Sequence, residues 1–408
     1  MTKSVSAGSR ALGPLKALNF FMADMQAGIG PFLGIFLLSK GWQSGPIGTV
    51  MTLGGIAGML MTAPAGAAID ATSHKRRYVI IPGICTVIAS ALILLSQDFW
   101  VVALSQVATA IAGAAIGPAV VGITLGIVRQ KGFNRQNGHN QAFNHAGNVV
   151  GAALSGYLGL KWGMTAIVLL AALFGVLSII SILMIPAESI DNKAARGLKE
   201  ESEESEKASG LKVLFQCKPL LILAAALACF HLGNGALLPL YGMAAATKMN
   251  GNASMFVALT VIIAQLVMIV ASIVAMRIAE KKGYWLVLLI SFIALPIRGL
   301  IAANMISHIG LYPVQILDGI GAGLQSVAVP GLVAHILNGT GHINIGQGAV
   351  MTIQGLGASL SPAIGGWIEQ KMGYEHAFMI LGSFAVISIT LWVFHSKTII
   401  KECGYPVT

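Results

Sequence analysis

The sequence predicts an all-α polytopic membrane protein, with twelve transmembrane helices arranged as two six-helix halves. Three observations predict it. First, 56% of the 408 residues are apolar and only 10% are charged, whereas a soluble domain carries roughly a quarter charged residues. Such a chain cannot cover a globule with water-compatible side chains, so it presents apolar surface to lipid. Second, twelve apolar runs reach the length of about 20 residues that a helix needs to cross a bilayer. Third, the cations between those runs gather at alternate ends.

The first six spans fall near 15–38, 45–69, 78–96, 100–128, 138–160 and 164–186. The second six fall near 219–245, 254–279, 284–304, 309–337, 346–368 and 376–395. Backbone groups must pair internally inside a bilayer, so runs of this length are helices. The first run follows Lys3, Arg10 and Lys16. It is too long for a signal-peptide core and contains Asp24, which makes it a retained first span. Between spans 6 and 7 lies a hydrophilic stretch with Lys199, Glu200, Glu201, Glu203, Glu204, Glu206 and Lys207. That composition cannot bury a core and reads as a linker. The expected organisation is an N-terminal bundle over 1–186, a cytoplasmic linker over 187–218 and a C-terminal bundle over 219–408.

With both termini cytoplasmic, the positive-inside rule is satisfied. Of the 25 lysines and arginines, Lys40, Lys161, Lys248 and Lys371 fall on the far side, Arg298 lies inside span 9, and the other 20 face the cytoplasm. An incorrect number of spans would scramble that sorting. The halves also resemble each other at a shift of 210 residues. Lys161-Trp162-Gly163 then falls on Lys371-Met372-Gly373, and Gly113, Gly147 and Gly156 fall on Gly323, Gly357 and Gly366. Internal repeats of this kind build many membrane carriers, with the binding site at the repeat interface.

Several classes are excluded. The net charge of +10 sits in short loops and forms no basic face interleaved with aromatics, so nucleic acid is not a partner. The four cysteines, Cys85, Cys217, Cys229 and Cys403, form no CxxC pair. His139, His145, His231, His308, His335 and His342 show no tight ligand spacing, so no metal site is expected. No Gly-rich phosphate loop with Lys-Ser or Lys-Thr occurs, and no clustered acid motif marks a membrane enzyme. The chain is expected to be neither an enzyme nor the holder of a cofactor.

The loop after span 2 reads Gly66-Ala67-Ala68-Ile69-Asp70-Ala71-Thr72-Ser73-His74-Lys75-Arg76-Arg77. Gly66 would allow close helix approach, and Asp70 can pair with Arg76 or Arg77 and latch two helices. The copy after span 8 carries Glu280, Lys281 and Lys282 but has Ala279 at the matching acidic position. Glycine, then aspartate four residues on, then a basic cluster resembles the signature of the major facilitator superfamily. Span 5 carries Gly147, Gly151 and Gly156, similar to the glycine pattern of proton-coupled drug exporters in that superfamily. Ala152 replaces its proline, and Ser155 replaces a glycine. Span 11 keeps Pro362, Gly365 and Gly366. Small residues at such spacing also serve simply to pack helices.

The resemblance covers nearly the whole chain and implies the superfamily fold. Two bundles would rock about a cavity lined mainly by spans 1, 4, 7 and 10. It implies a secondary transporter, and the expected function is export of a small organic solute driven by protons. An uptake permease for a siderophore-like chelate, sugar or organic acid is the alternative. A monomer in a bacterial inner membrane is expected.

Charges inside the spans carry the site expectation. An ionised group at mid-bilayer costs about 2.5–3.5 kcal/mol on insertion scales, so it faces a wet cavity or a partner. Asp24, Arg298 and Asp318 qualify. Asp24 shares a face of span 1 with Gly28 and Pro31 at helical spacing. Gln315, Asp318, Ala322 and Gln325 share a face of span 10, and His231 and Asn234 a face of span 7. These residues are the expected solute and proton-coupling site, with Gly66, Asp70, Arg76 and Arg77 as the cytoplasmic gate. The simpler alternative for Arg298 and Asp318 is a structural ion pair.

Overall fold

A computed structural model of the chain describes residues 2–27, 29–196, 217–248, 253–337 and 343–400. The acidic run of the expected linker, Lys199 to Lys207, lies outside them. Among the described residues the regular structure is all helical.

Among the described residues ten stretches are long and apolar enough to cross a membrane. One of them, Arg135–Leu183, is 49 residues long and is broken at Gly163, where φ is 71°. A further long helix, Ile343–Met372, completes twelve spans. The integral, multi-pass reading therefore stands, and the boundaries fall within a few residues of expectation for most spans.

The exception is span 5. A loop was expected from 129 to 137, but the chain reverses at Arg129 alone, with φ of 55°, and resumes as helix. Polar side chains hold this extension in place. Gln136 Nε2 donates to Asn140 Oδ1 at 2.8 Å, and Asn140 Nδ2 donates to Thr124 Oγ1 on span 4 at 2.9 Å. The short apolar stretch alone could not show that these amides find partners.

The repeat is visible in the backbone. Gly163 and Gly373, one shift of 210 apart, both take positive φ, 71° and 84°. Each makes the tight reversal that leads into the last helix of its half. Only glycine adopts that conformation without strain.

The chain forms two compact units, residues 1–36 with 53–205, and residues 37–52 with 206–408. In the first, Leu15, Leu18, Met22 and Met25 of span 1 pack with Ile69, Val79, Ile116, Ile123 and Ile182. In the second, Phe230, Phe292 and Trp392 form one aromatic chain, and Tyr241 packs between Phe256 and Phe378.

Residues 37–52 join the second unit through hydrogen bonds to span 11. Ser44 Oγ donates to the Gly366 carbonyl at 3.0 Å. The Ala363 N–H donates to Thr52 Oγ1 at 3.0 Å, and Trp367 Nε1 donates to Thr49 Oγ1 at 3.1 Å. The carbonyl of Ser44 occupies the place where a Cβ on Gly366 would sit, so this contact requires glycine there.

Candidate functional site

Span 7 is interrupted in mid-course. The helix Lys218–Asn234 stops and restarts as Leu237–Lys248. Pro239 has no N–H to give to the carbonyl four residues back, at Gly235, so the ladder fails there. The Ala236 N–H, left over by the break, donates to Ser361 Oγ of span 11 at 2.8 Å. Broken helices of this kind put irregular backbone beside binding sites in membrane carriers.

Three of the expected residues meet at the break. Arg298 Nη1 is 2.6 Å from Asp318 Oδ1 and donates to Asn234 Oδ1 at 2.6 Å. The Arg298 side chain is 1% exposed and that of Asp318 is 15% exposed, so the carboxylate is the more open partner of the pair. Arg298 Nε and Nη2 have no partner among the described residues, and neither has either amide atom of the fully buried Gln315. A guanidinium carries five donors in a rigid fork. Here Nε and Nη2 of that fork are buried and without a partner among the described residues, which is costly for structure alone.

His231 and Gln325 join each other rather than this cluster. His231 Nε2 is 3.1 Å from Gln325 Oε1. Gln325 Nε2 donates to Ser291 Oγ at 2.9 Å, and Ser291 donates to the Gly321 carbonyl at 3.0 Å. Since the amide oxygen only accepts, Nε2 carries the histidine proton in this arrangement. Sequence reasoning missed Ser291. A lone serine in an apolar run gives no signal until span 10 is packed against it.

Asp24 occupies the equivalent place in the first unit. A shift of 210 residues carries it onto Asn234, the last residue before the break in span 7, and Asp24 lies three residues before the end of its own helix at Ala27. Asp24 is 4% exposed, and its Oδ2 has no hydrogen-bond partner among the described residues. Span 5 crosses directly over it. The Phe20 carbonyl fills the space of a Cβ on Gly147, and the Asp24 carboxylate fills that of a Cβ on Gly151. The second unit repeats the crossing, with the Ala228 carbonyl against Gly357. There the counterpart of Gly151 is Ser361, the residue that caps the Ala236 N–H. One copy of the crossing thus leaves room for a carboxylate, and the other supplies a hydroxyl.

The remaining glycine-pattern residues pack helices. Gly365 lies against Ala236 and Leu240, each at 2.8 Å from a Cβ placed there, and a backbone carbonyl of Pro362 abuts Gly48. Gly156 is buried.

The loop after span 2 differs from expectation in two ways. Among the described residues nothing lies within 4 Å of a Cβ on Gly66, so no close helix approach there depends on that glycine. Lys75 is the buried cation of the cluster, at 1% exposure, and its Nζ donates to the Ile69 carbonyl at 2.7 Å. Arg76 Nη1 donates to the Ile185 carbonyl at the end of span 6, 3.1 Å away. Both cations thus meet carbonyls at helix C-termini, where unpaired carbonyls and the helix dipole favour positive charge. Arg77 is exposed. The side chain of Asp70, the acidic half of the expected latch, lies outside the described residues.

Among the described residues no three His, Cys, Asp or Glu side chains converge as metal ligands. His139 is exposed, and His145 lies on the same helix without converging on it.

Residues 17–344 match the family model described as Major Facilitator Superfamily. An uncharacterized MFS-type transporter of Mycobacterium tuberculosis is 35% identical over 391 residues, 95% of this chain and 94% of the relative. Among solved structures, a bacterial homologue of the human lysosomal transporter Spinster aligns with a TM-score of 0.79 at 14% identity. That alignment covers 98% of this chain and 99% of the other. The nucleoside transporter NupG aligns with a TM-score of 0.76 at 15% identity, covering 95% and 99%. At these identities the likeness is one of fold.

Proposed function

Since the chain belongs to the major facilitator superfamily, and so is a secondary transporter of small solutes, we propose that it exports a small organic solute in exchange for protons. The observation that carries this reading is Asp24. Its buried Oδ2 has no partner among the described residues, and an ionised group in mid-span is expensive, so Asp24 holds either a proton or a cationic or hydrogen-bond-donating solute. One group that serves both ligands in turn makes their binding exclusive, which is the requirement for exchange. The glycine pattern closing over Asp24 from span 5 supports the same direction.

A second reading rests on Arg298. If Asp318 takes a proton, its charge is withdrawn from the guanidinium, and the two unpartnered nitrogens can receive an anionic group of the solute. Proton and solute would then bind together, which describes an uptake permease. His231, Asn234, Gln315 and Gln325 would line that site.

In either direction the carrier works by alternating access as a monomer in a bacterial inner membrane, with its termini in the cytoplasm. The cluster of Gly66, Asp70, Arg76 and Arg77 acts as the cytoplasmic gate.

A thermal-shift screen of purified protein against a solute library at two pH values identifies the solute, since binding raises the melting temperature by mass action. The hit is then followed in proteoliposomes under an imposed proton gradient. Exchange predicts movement of solute against the proton flux. Accumulation along an inward proton gradient removes the export reading and favours the permease.

A further inference from the structure

The basic loop after span 2, whose Arg76 and Arg77 the transport reading places in the gate, also borders a cavity of about 320 Å³ to which that reading assigns no ligand. Its volume falls in the range of small-molecule sites, about 300–1,000 Å³. Its cationic lining is Lys75, Arg76 and Arg77, with the His74 imidazole beside them. Its apolar lining includes Ile80, Leu183 and Ile190. No carboxylate lines it among the described residues. The nearby Asp191 is already engaged by Arg129 at 3.2 Å and by the Lys193 and Ala194 amides.

The cavity does not stand alone. Span 3, Arg77–Leu95, leaves Ile81, Ile84 and Ile88 exposed, and the last helix of the first unit leaves Leu173, Val176, Ile180 and Leu183 exposed. Both sets follow helical spacing, so each is a continuous apolar stripe. The two helices touch, with Val87 at 3.0 Å from a Cβ placed on Gly175. The stripes therefore lie on neighbouring helices and end at the cavity, where Leu183 belongs to both.

A soluble phosphate would need the cations but not the stripes. A lipid acyl chain would need the stripes but not the cations. We propose that this groove binds an anionic phospholipid, with its phosphate held by His74, Arg76 and Arg77 and its acyl chains along the stripes of span 3 and span 6. A basic pocket between membrane helices at one face of the bilayer suits such headgroups. A choline headgroup would instead bring its own cation against Arg77. Because Arg76 also ties span 3 to the end of span 6 through the Ile185 carbonyl, lipid at this place braces the packing of the first unit.

The test uses delipidated full-length protein in detergent, with binding followed by native mass spectrometry and by melting temperature. Phosphatidylglycerol is compared with phosphatidylcholine of the same acyl chains, and with glycerol 3-phosphate. The expected result is a clear preference for phosphatidylglycerol, a higher melting temperature with it, and no effect of glycerol 3-phosphate. Arg77→Gln weakens phosphatidylglycerol binding about fivefold, the value of one surface cation at a charged lipid, and leaves phosphatidylcholine binding unchanged. His74→Gln gives a second variant on the exposed loop, to be used where Arg77→Gln folds poorly.

Equal binding of the two lipids would overturn the proposal. So would a phosphatidylglycerol preference that both variants retain in full, since that lipid would be annular. An effect of glycerol 3-phosphate equal to that of the lipid would also overturn it, by reassigning the site to soluble phosphates. None of these readouts depends on proton coupling, so the transport reading stands or falls separately.

Discussion

Two carboxylates in the spans face opposite electrostatic situations. Asp318 has its counter-ion in hand, and Asp24 has an oxygen with no partner among the described residues. For Asp24→Asn, we expect folding to persist and the pH response of transport to disappear, because the amide keeps the shape and loses the proton-carrying group. Solute flux measured in proteoliposomes at two pH values checks this, and undiminished pH-responsive transport would rule out Asp24 as the coupling residue. For Arg298 and Asp318 the double variant decides between brace and binding site. Removing one partner of a buried pair costs about 3–5 kcal/mol, whereas replacing both by apolar residues of similar volume is often neutral. Asp318→Leu alone is expected to lower the melting temperature strongly, and Arg298→Met with Asp318→Leu to recover most of it. If the double variant also transports normally, the pair is only structural. The sequence could single out these three charges because an apolar run makes any charge conspicuous. It could not show that Arg298 reaches Asn234, nor that His231 bonds Gln325 instead, since spacing on one helix says nothing about a neighbour.

At the scale of the element, the crossings of span 5 over span 1 and span 11 over span 7 repeat one design with one difference. In both, glycine lets a backbone carbonyl come to the distance of side-chain contact. Gly357→Leu should therefore cost about 1–3 kcal/mol or more by overpacking, read as a fall in melting temperature. The difference is at the next turn, Gly151 in one copy and Ser361 in the other. Ser361→Ala leaves the Ala236 N–H buried without a partner, which costs about 1–3 kcal/mol. Gly151→Ala instead pushes a methyl group onto the Asp24 carboxylate, and is expected to abolish transport with a smaller loss of stability. Equal stability losses and intact transport for Gly151→Ala would show that the crossing merely packs. The glycines were legible in the sequence as a pattern. Their distinct tasks were not, because a missing side chain looks the same whether backbone, carboxylate or open space lies beside it, as Gly66 illustrates.

For the whole molecule, twelve crossings and the sorting of cations make a prediction about sidedness. With native cysteines replaced, Ser73→Cys and Lys161→Cys should be labelled by an impermeant reagent from opposite faces of the membrane. Labelling from the same face would refute the topology. The sequence by itself determined the fold class, the number of spans, the repeat and the family. The fold class and the number of spans follow from hydropathy and charge along the chain, because a bilayer forces every crossing to be an apolar helix of nearly fixed length; the repeat came from residues that match at a shift of 210, and the family from the resemblance carried by the loop Gly66 to Arg77. Tertiary structure alone decided which polar groups meet: Arg298 with Asp318 and Asn234, Gly151 against Asp24, Lys75 on the carbonyl of Ile69. It also decided that residues 37–52 pack with the second half of the chain. The reason is physical. Lipid selects composition one helix at a time, whereas a hydrogen bond between spans depends on the rotation and depth of both, which composition leaves free.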